Sequence, residues 1–189
     1  MKTPRCGRMT LADLTDYAAG ELPEAEAAAI EEHLFSCTDC GVRAAEFEAL
    51  VRALPAAIRS AEVGGFVTDA VLNRLAREGV RIRTFTLSPG AVVPCAVWNE
   101  DELMALRLRA EFGSAREFTL SQRIAGTEVI RETVQAAAGL HGELIHVMPA
   151  ARIRQLPAVK VELVLTAHDE GDERPIAIYT LVHGGSLHR

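Results

Sequence analysis

Apolar residues change their spacing near residue 80. Before that point they recur at helical intervals; after it the segments are short, alternating and rich in Val, Ile, Leu and Thr. A first helix is predicted over about 10–19, where Thr10 can cap and Asp13 stands three residues on, as in a capping box. Leu11, Leu14 and Tyr17 or Ala18 share one face, and Gly20 suits the stop. A second helix opens at Pro23, with Glu24 and Glu26 in its first turn. Ala27, Ile30 and Leu34 line its apolar face, and His33 falls in its last turn. A tight turn at 36–39 leads into a third helix, which Pro55 is expected to end at Leu54. Phe47, Leu50, Val51 and Leu54 form its stripe at spacings 0, 3, 4 and 7. After a looser stretch at 56–65, a fourth helix is predicted at about 67–78. Val67, Val71 and Leu75 share its face, and Gly79 closes it.

From Val80 onward the pattern predicts about eight strands, at 80–87, 91–98, 103–112, 116–123, 127–134, 142–148, 159–167 and 175–183. Turn residues separate them, including Ser88-Pro89-Gly90, Asn99-Glu100-Asp101 and Glu170-Gly171-Asp172. Many short strands at this spacing predict an antiparallel β-sandwich or barrel, of which the sandwich is the reading adopted. The fold class is therefore α+β, a small helical bundle followed by a sandwich. The expected division is 1–62 for the bundle, 63–79 for a linker and fourth helix, and 80–189 for the all-β part.

Composition adds that the core is aliphatic, since 49% of residues are hydrophobic and only 5% aromatic. Charge narrows the partners. The net charge is −6, with −4 of it in residues 1–60, so direct nucleic-acid binding is not expected and a neutral or basic partner is. No secretory leader and no apolar run of roughly 18–20 residues is seen, so no membrane span is expected and a cytoplasmic location is. Clustered thiols in that compartment more often bind metal than form lasting disulfides.

The strongest local signal is His33-x3-Cys37-x2-Cys40. Two cysteines two residues apart can aim both sulfurs at one ion across a turn, and a histidine ending the preceding helix reaches the same ion. Zinc takes four such N/S ligands in a tetrahedron. Cys40 would lie in the first turn of the third helix, whose positive end favours a thiolate. Cys6 is the candidate fourth ligand, because no other Cys or His precedes Cys95. The alternatives are a Cys6 left free or held in a disulfide. A redox Cys-x2-Cys motif would need a strand–helix setting, whereas this pair falls between two helices.

These residues resemble the zinc-binding anti-sigma domain of bacteria. The likeness covers residues 6–40, about a fifth of the chain: Cys6, then Leu14-Thr15-Asp16-Tyr17, Gly20-Glu21-Leu22-Pro23, and Glu31-Glu32-His33-Leu34-Phe35-Ser36-Cys37-Thr38-Asp39-Cys40. The resemblance implies a protein that binds an extracytoplasmic-function sigma factor and hides its polymerase-binding surfaces. It implies three helices around zinc and a fourth against the sigma factor. Some members with these ligands lose zinc and form a disulfide under oxidants; others do not. On this basis Phe47, Leu50, Leu54, Val67, Val71 and Leu75 are candidate partner-binding residues. Both stripes could instead pack inside the protein or onto the sandwich.

The second half carries fewer signals. His141 and His146 fall on opposite faces of a strand, and His168, His183 and His188 are scattered, so no second metal site is expected. Cys95 reads as a buried small hydrophobe, and Trp98 either packs beside it or lines a ligand pocket. No phosphate loop and no nucleophile motif occurs, so no enzymatic activity is expected. The expected function is that of a soluble zinc-binding anti-sigma factor. The alternative is a zinc-stapled interaction or assembly module, open to homodimerisation, whose sandwich binds a ligand or partner without any sigma factor.

Overall fold

The computed structural model describes residues 6, 8–20, 22–60, 64–135, 142–169 and 172–184. His141, His188 and the predicted turn residues Glu170 and Gly171 lie outside them, as does the expected boundary at 62/63.

Helix α1 spans Leu11–Ala19 and begins at the predicted cap. The Asp13 amide donates to the Thr10 hydroxyl while the Asp13 carboxylate accepts from the Thr10 amide, which satisfies two N-terminal donors reciprocally. Gly20 ends it in the left-handed region, with φ 68°, where a side chain would be strained. Helix α2 covers Glu24–Ser36, and α3 covers Thr38–Arg59. Pro55 therefore does not stop α3. Proline removes one backbone donor, at a cost of about 3 kcal/mol in a helix interior. Here Pro55 is itself buried, and the turn beyond it buries Ile58. Tertiary packing overrides the local preference.

Helix α4, Asp69–Arg77, starts at a Thr68 cap, later than the pattern predicts. Val67 is not on it. Val67 ends a short strand β1, Gly65–Val67, which adds to the edge of a sheet and was not legible in the sequence. The eight predicted strands all form: β2 Ile82–Leu87, β3 Val92–Cys95, β4 Leu103–Arg109, β5 Glu117–Ile124, β6 Thr127–Gln135, β7 Glu143–Pro149, β8 Val159–Asp169 and β9 Asp172–His183. A one-turn helix α5, Ala150–Arg154, follows β7.

The strands make two sheets, β1-β7-β4-β2 and β3-β9-β8-β5-β6. The α+β class and the two packed sheets form as expected, and both sheets are mixed, so that two strand pairs depart from the antiparallel expectation. Strands β2 and β4 pair in parallel, as do β3 and β9. The cause is sheet-switching. The chain reverses after β2, places β3 in the other sheet and reverses again, so β4 returns beside β2 in the same direction.

The main core lies between the sheets, with Phe118, Leu163, Leu165 and Tyr179 at 1% exposure or less. A second core lies on the far side of the four-stranded sheet. There Val71, Leu72 and Leu75 of α4 and Ile58 of α3 cover Leu103, Ala105, Ile145 and Val147. This explains β4, whose residues 103–106 are all buried: alternate side chains face different cores. Arg107, on the helix-covered face, pairs with Asp69 and Glu143.

Candidate metal centre

The site is assembled by a break between two helices. Cys37 ends α2 and begins α3 with extended backbone, φ −124° and ψ 99°. Its amide still donates to the His33 carbonyl at 2.9 Å, and its own carbonyl accepts from Gly41 at 2.9 Å. The chain thus changes direction without losing either helix's end bonds. Gly41 permits the close approach, since a Cβ there would lie 3.3 Å from the Leu34 carbonyl. His33 sits in the last turn of α2 and Cys40 in the first turn of α3. Cys6 comes from before α1, and its Sγ lies 3.6 Å from His33 Nε2.

The ligand atoms of Cys6, His33, Cys37 and Cys40 all lie within 4.8 Å of one another. The structure thus brings together the four side chains expected from the sequence. Their chemistry and spacing fit a zinc ion. With Zn–S about 2.3 Å and Zn–N about 2.0–2.1 Å, a tetrahedron has an S-to-N edge of roughly 3.6 Å. Electrostatics divides the thiols. The Cys40 backbone N–H bonds to the Cys37 sulfur and draws its pKa down. Burial, then hydrogen bonds that the Cys40 thiol donates to the neighbouring sulfurs, push Cys40 up to about 11. A cation bound between them would favour the thiolate form of both.

Around the site the core is small. Met9, Leu14 and Cys40 are its buried members, with Ile30, Leu34, Ala44 and Phe47 partly buried against them. Helix α2 buries no side chain. An open groove of about 550 Å³ runs between α1, α2 and α3, walled by Leu14, Tyr17, Ala27, Leu34 and Ala44. Tyr17 there donates to Glu31 at 3.5 Å, and burial followed by that carboxylate pushes its phenol up.

The six candidate partner residues part company. Val71 and Leu75 are buried in this chain's own core against the sheet, at 7% and 1% exposure. Leu54 and Val67 are half-buried against that same core, and Phe47 is half-buried under the metal cluster. Leu50 stays on the surface, 59% exposed. Phe35, 93% exposed, and Val42, 53% exposed, join it, and sequence reasoning missed both. The signal for Val42 was present, because it precedes Leu50 by eight residues on one helical face. Phe35 follows Leu34, and so is turned about 100° away from the α2 stripe. Glu31, Glu32, Asp39 and Glu46 are exposed on the same two helices.

Elsewhere, described histidines are engaged. His146 Nε2 meets Glu132 at 2.9 Å, His168 Nε2 meets Thr119 at 2.7 Å, and His183 Nδ1 meets the Cys95 carbonyl at 3.2 Å. Cys95 is buried, its thiol pushed up to about 11 by desolvation. Arg83 stacks over the Trp98 ring at 5.6 Å. No helix among the described residues is long and apolar enough to cross a membrane.

Residues 6–41 match a family model described as "Putative zinc-finger", a domain typical of zinc-binding anti-sigma factors. No curated protein matches the chain. Among solved structures, the N-terminal domain of phage TP901-1 ORF48 is 9% identical with a TM-score of 0.34, over 55% of this chain and 98% of that one. That likeness is too slight to bear on fold or function.

Proposed function

We propose that the chain is a zinc-binding anti-sigma factor that sequesters an extracytoplasmic-function sigma factor through its helical module. The observation that carries this reading is the convergence of three thiols and one imidazole inside the matched segment. Zinc, where bound, supplies a structural crosslink. Cys6 anchors the chain before α1, His33 holds the end of α2, and Cys37 and Cys40 hold the start of α3. Fixed in this way, the module presents Phe35, Val42 and Leu50 among exposed carboxylates, which suits a partner surface that is apolar and basic. The chain acts by occlusion in the cytoplasm and turns over no substrate.

One observation favours the second reading, a zinc-stapled assembly module with no sigma partner. The apolar face of α4 is spent on the chain's own sheet and is not free for a sigma factor. Co-expression of the full chain with the sigma factor encoded beside it separates the two. A zinc-containing complex on a sizing column is expected, and Phe35→Glu or Leu50→Glu is expected to weaken it by about 2 kcal/mol or more without loss of zinc. A zinc-loaded chain that elutes alone would leave the second reading standing.

A further inference from the structure

The four ligands of the candidate metal centre are not held alike. His33, Cys37 and Cys40 come from one helix–break–helix segment, where the end of α2 and the start of α3 fix their spacing. Cys6 lies 27 residues before His33, on an arm that precedes α1 and belongs to no helix or strand. A ligand on such an arm loses conformational freedom each time it closes on the ion, whereas the other three are already in place. Contacts that steady the arm therefore set how much of the time Cys6 is bound.

Met9 is where the arm is steadied. Its side chain is buried with Leu14 and Cys40. Its carbonyl accepts a hydrogen bond from Arg43 Nη1 at 3.4 Å. Met9 precedes the Thr10 cap, so this carbonyl lies outside the ladder of α1, which begins with the Leu14 amide on the Thr10 carbonyl. Arg43 is half-buried on α3, three residues beyond Cys40, a spacing that places both on one side of the helix. The guanidinium thus joins the helix that carries Cys40 to a carbonyl three residues from Cys6. It also sets a permanent positive charge one turn from a centre that zinc and three thiolates would leave with a single net negative charge.

We propose that Arg43 is a positioning residue of the metal centre: its bond to the Met9 carbonyl holds the arm against α3 and keeps Cys6 on the ion. The inference rests on the reading of the centre as a zinc site and uses nothing of the sigma-factor reading.

Alkylation of the zinc-loaded full chain, resolved thiol by thiol, tests it. Iodoacetamide is applied to low conversion with zinc in slight excess, and peptide mass spectrometry reads the rate at each cysteine. Arg43→Met keeps the side chain's bulk and loses the donor. It should raise the Cys6 rate about 5-fold, the order expected for one long charge-assisted hydrogen bond, and leave Cys37 and Cys40 within about 2-fold of the parent. Zinc affinity, by competition with a chromophoric chelator, should fall about 5-fold as well. Arg8→Met removes the same charge at an exposed side chain two residues from Cys6, and should leave all three rates within about 2-fold. A Cys6 rate that Arg43→Met leaves unchanged overturns the proposal. So does an equal rise at all three thiols, which marks general loosening of the bundle, or an equal Cys6 rise in Arg8→Met, which marks an effect of charge alone. A parent chain that retains no zinc fails at an earlier step and removes the zinc reading together with this inference.

Discussion

The helical module and the sandwich solve the same problem with different means. Among the described residues, the inter-sheet core collects nineteen buried side chains, several with no exposure at all. The cluster around the metal ligands has three, one of them a ligand, and α2 contributes none. Burial of apolar surface contributes roughly 25 cal/mol per Å², so the sandwich has ample driving force of its own and the bundle has little. A metal ion held by Cys6, His33, Cys37 and Cys40 would supply what burial does not. The contrast also explains exposure: the small bundle leaves Phe35, Val42 and Leu50 in water.

The sharpest way to break this contrast is to remove the metal. Chelation, or Cys40→Ser, should melt the bundle and leave the sandwich folded, because structural zinc sites of this type carry on the order of 10 kcal/mol of folding free energy. Far-ultraviolet circular dichroism should lose helix, while amide signals of β5, β8 and β9 persist in nuclear magnetic resonance spectra. Simultaneous loss of both would show that the two regions are one cooperative unit.

The converse perturbation is smaller. Leu163→Ala, at a position with no exposure, should cost about 2–5 kcal/mol and lower the denaturation midpoint of the sheets. Zinc affinity, measured by competition with a chromophoric chelator, should not change.

The smallest expected effect lies at the joint. Arg74 of α4 meets both Glu48 carboxylate oxygens at 2.9 Å and Glu78 at 2.9 Å, and also donates to the Ala18 carbonyl at the end of α1. Arg74→Met should cost about 1–3 kcal/mol, as for a lost charge-assisted network. Arg74 holds the Glu48 carboxyl below the usual carboxylate range. A lowered carboxyl pKa contributes stability that is present above the ordinary value and lost as pH falls through the lowered one. Denaturation at pH 7 and pH 3 should therefore show a smaller acid-induced loss for Arg74→Met than for the parent.

The metal site was legible because its ligands follow from local spacing: residues 33, 37 and 40 sit at a helix end, a turn and a helix start whatever the rest does. The eight strands were legible from alternation and turn residues. Their partners were not, because Ser88-Pro89-Gly90 encodes a reversal and says nothing about which sheet receives β3. The stripe at Val71 and Leu75 was read correctly as apolar, but periodicity does not say whether the surface it meets belongs to this chain or another. Nor does it show that Pro55 lies within a helix, since the compensation comes from Ile58 packing against a sheet distant in sequence.

Continuity of α3 through Pro55 has a geometric consequence. Cys40 and Ile58 are eighteen residues apart, which is five helical turns and about 27 Å along one axis. Phe47 and Val51 fall at seven and eleven residues from Cys40, within about 20° of the same bearing. One edge of one rod therefore carries the metal ligand at its near end and the sheet anchor at its far end. Its length is quantised by angle. A single inserted residue would swing the far end by about 100° and detach either the ion or the sheet, whereas seven inserted together would leave both bearings nearly unchanged.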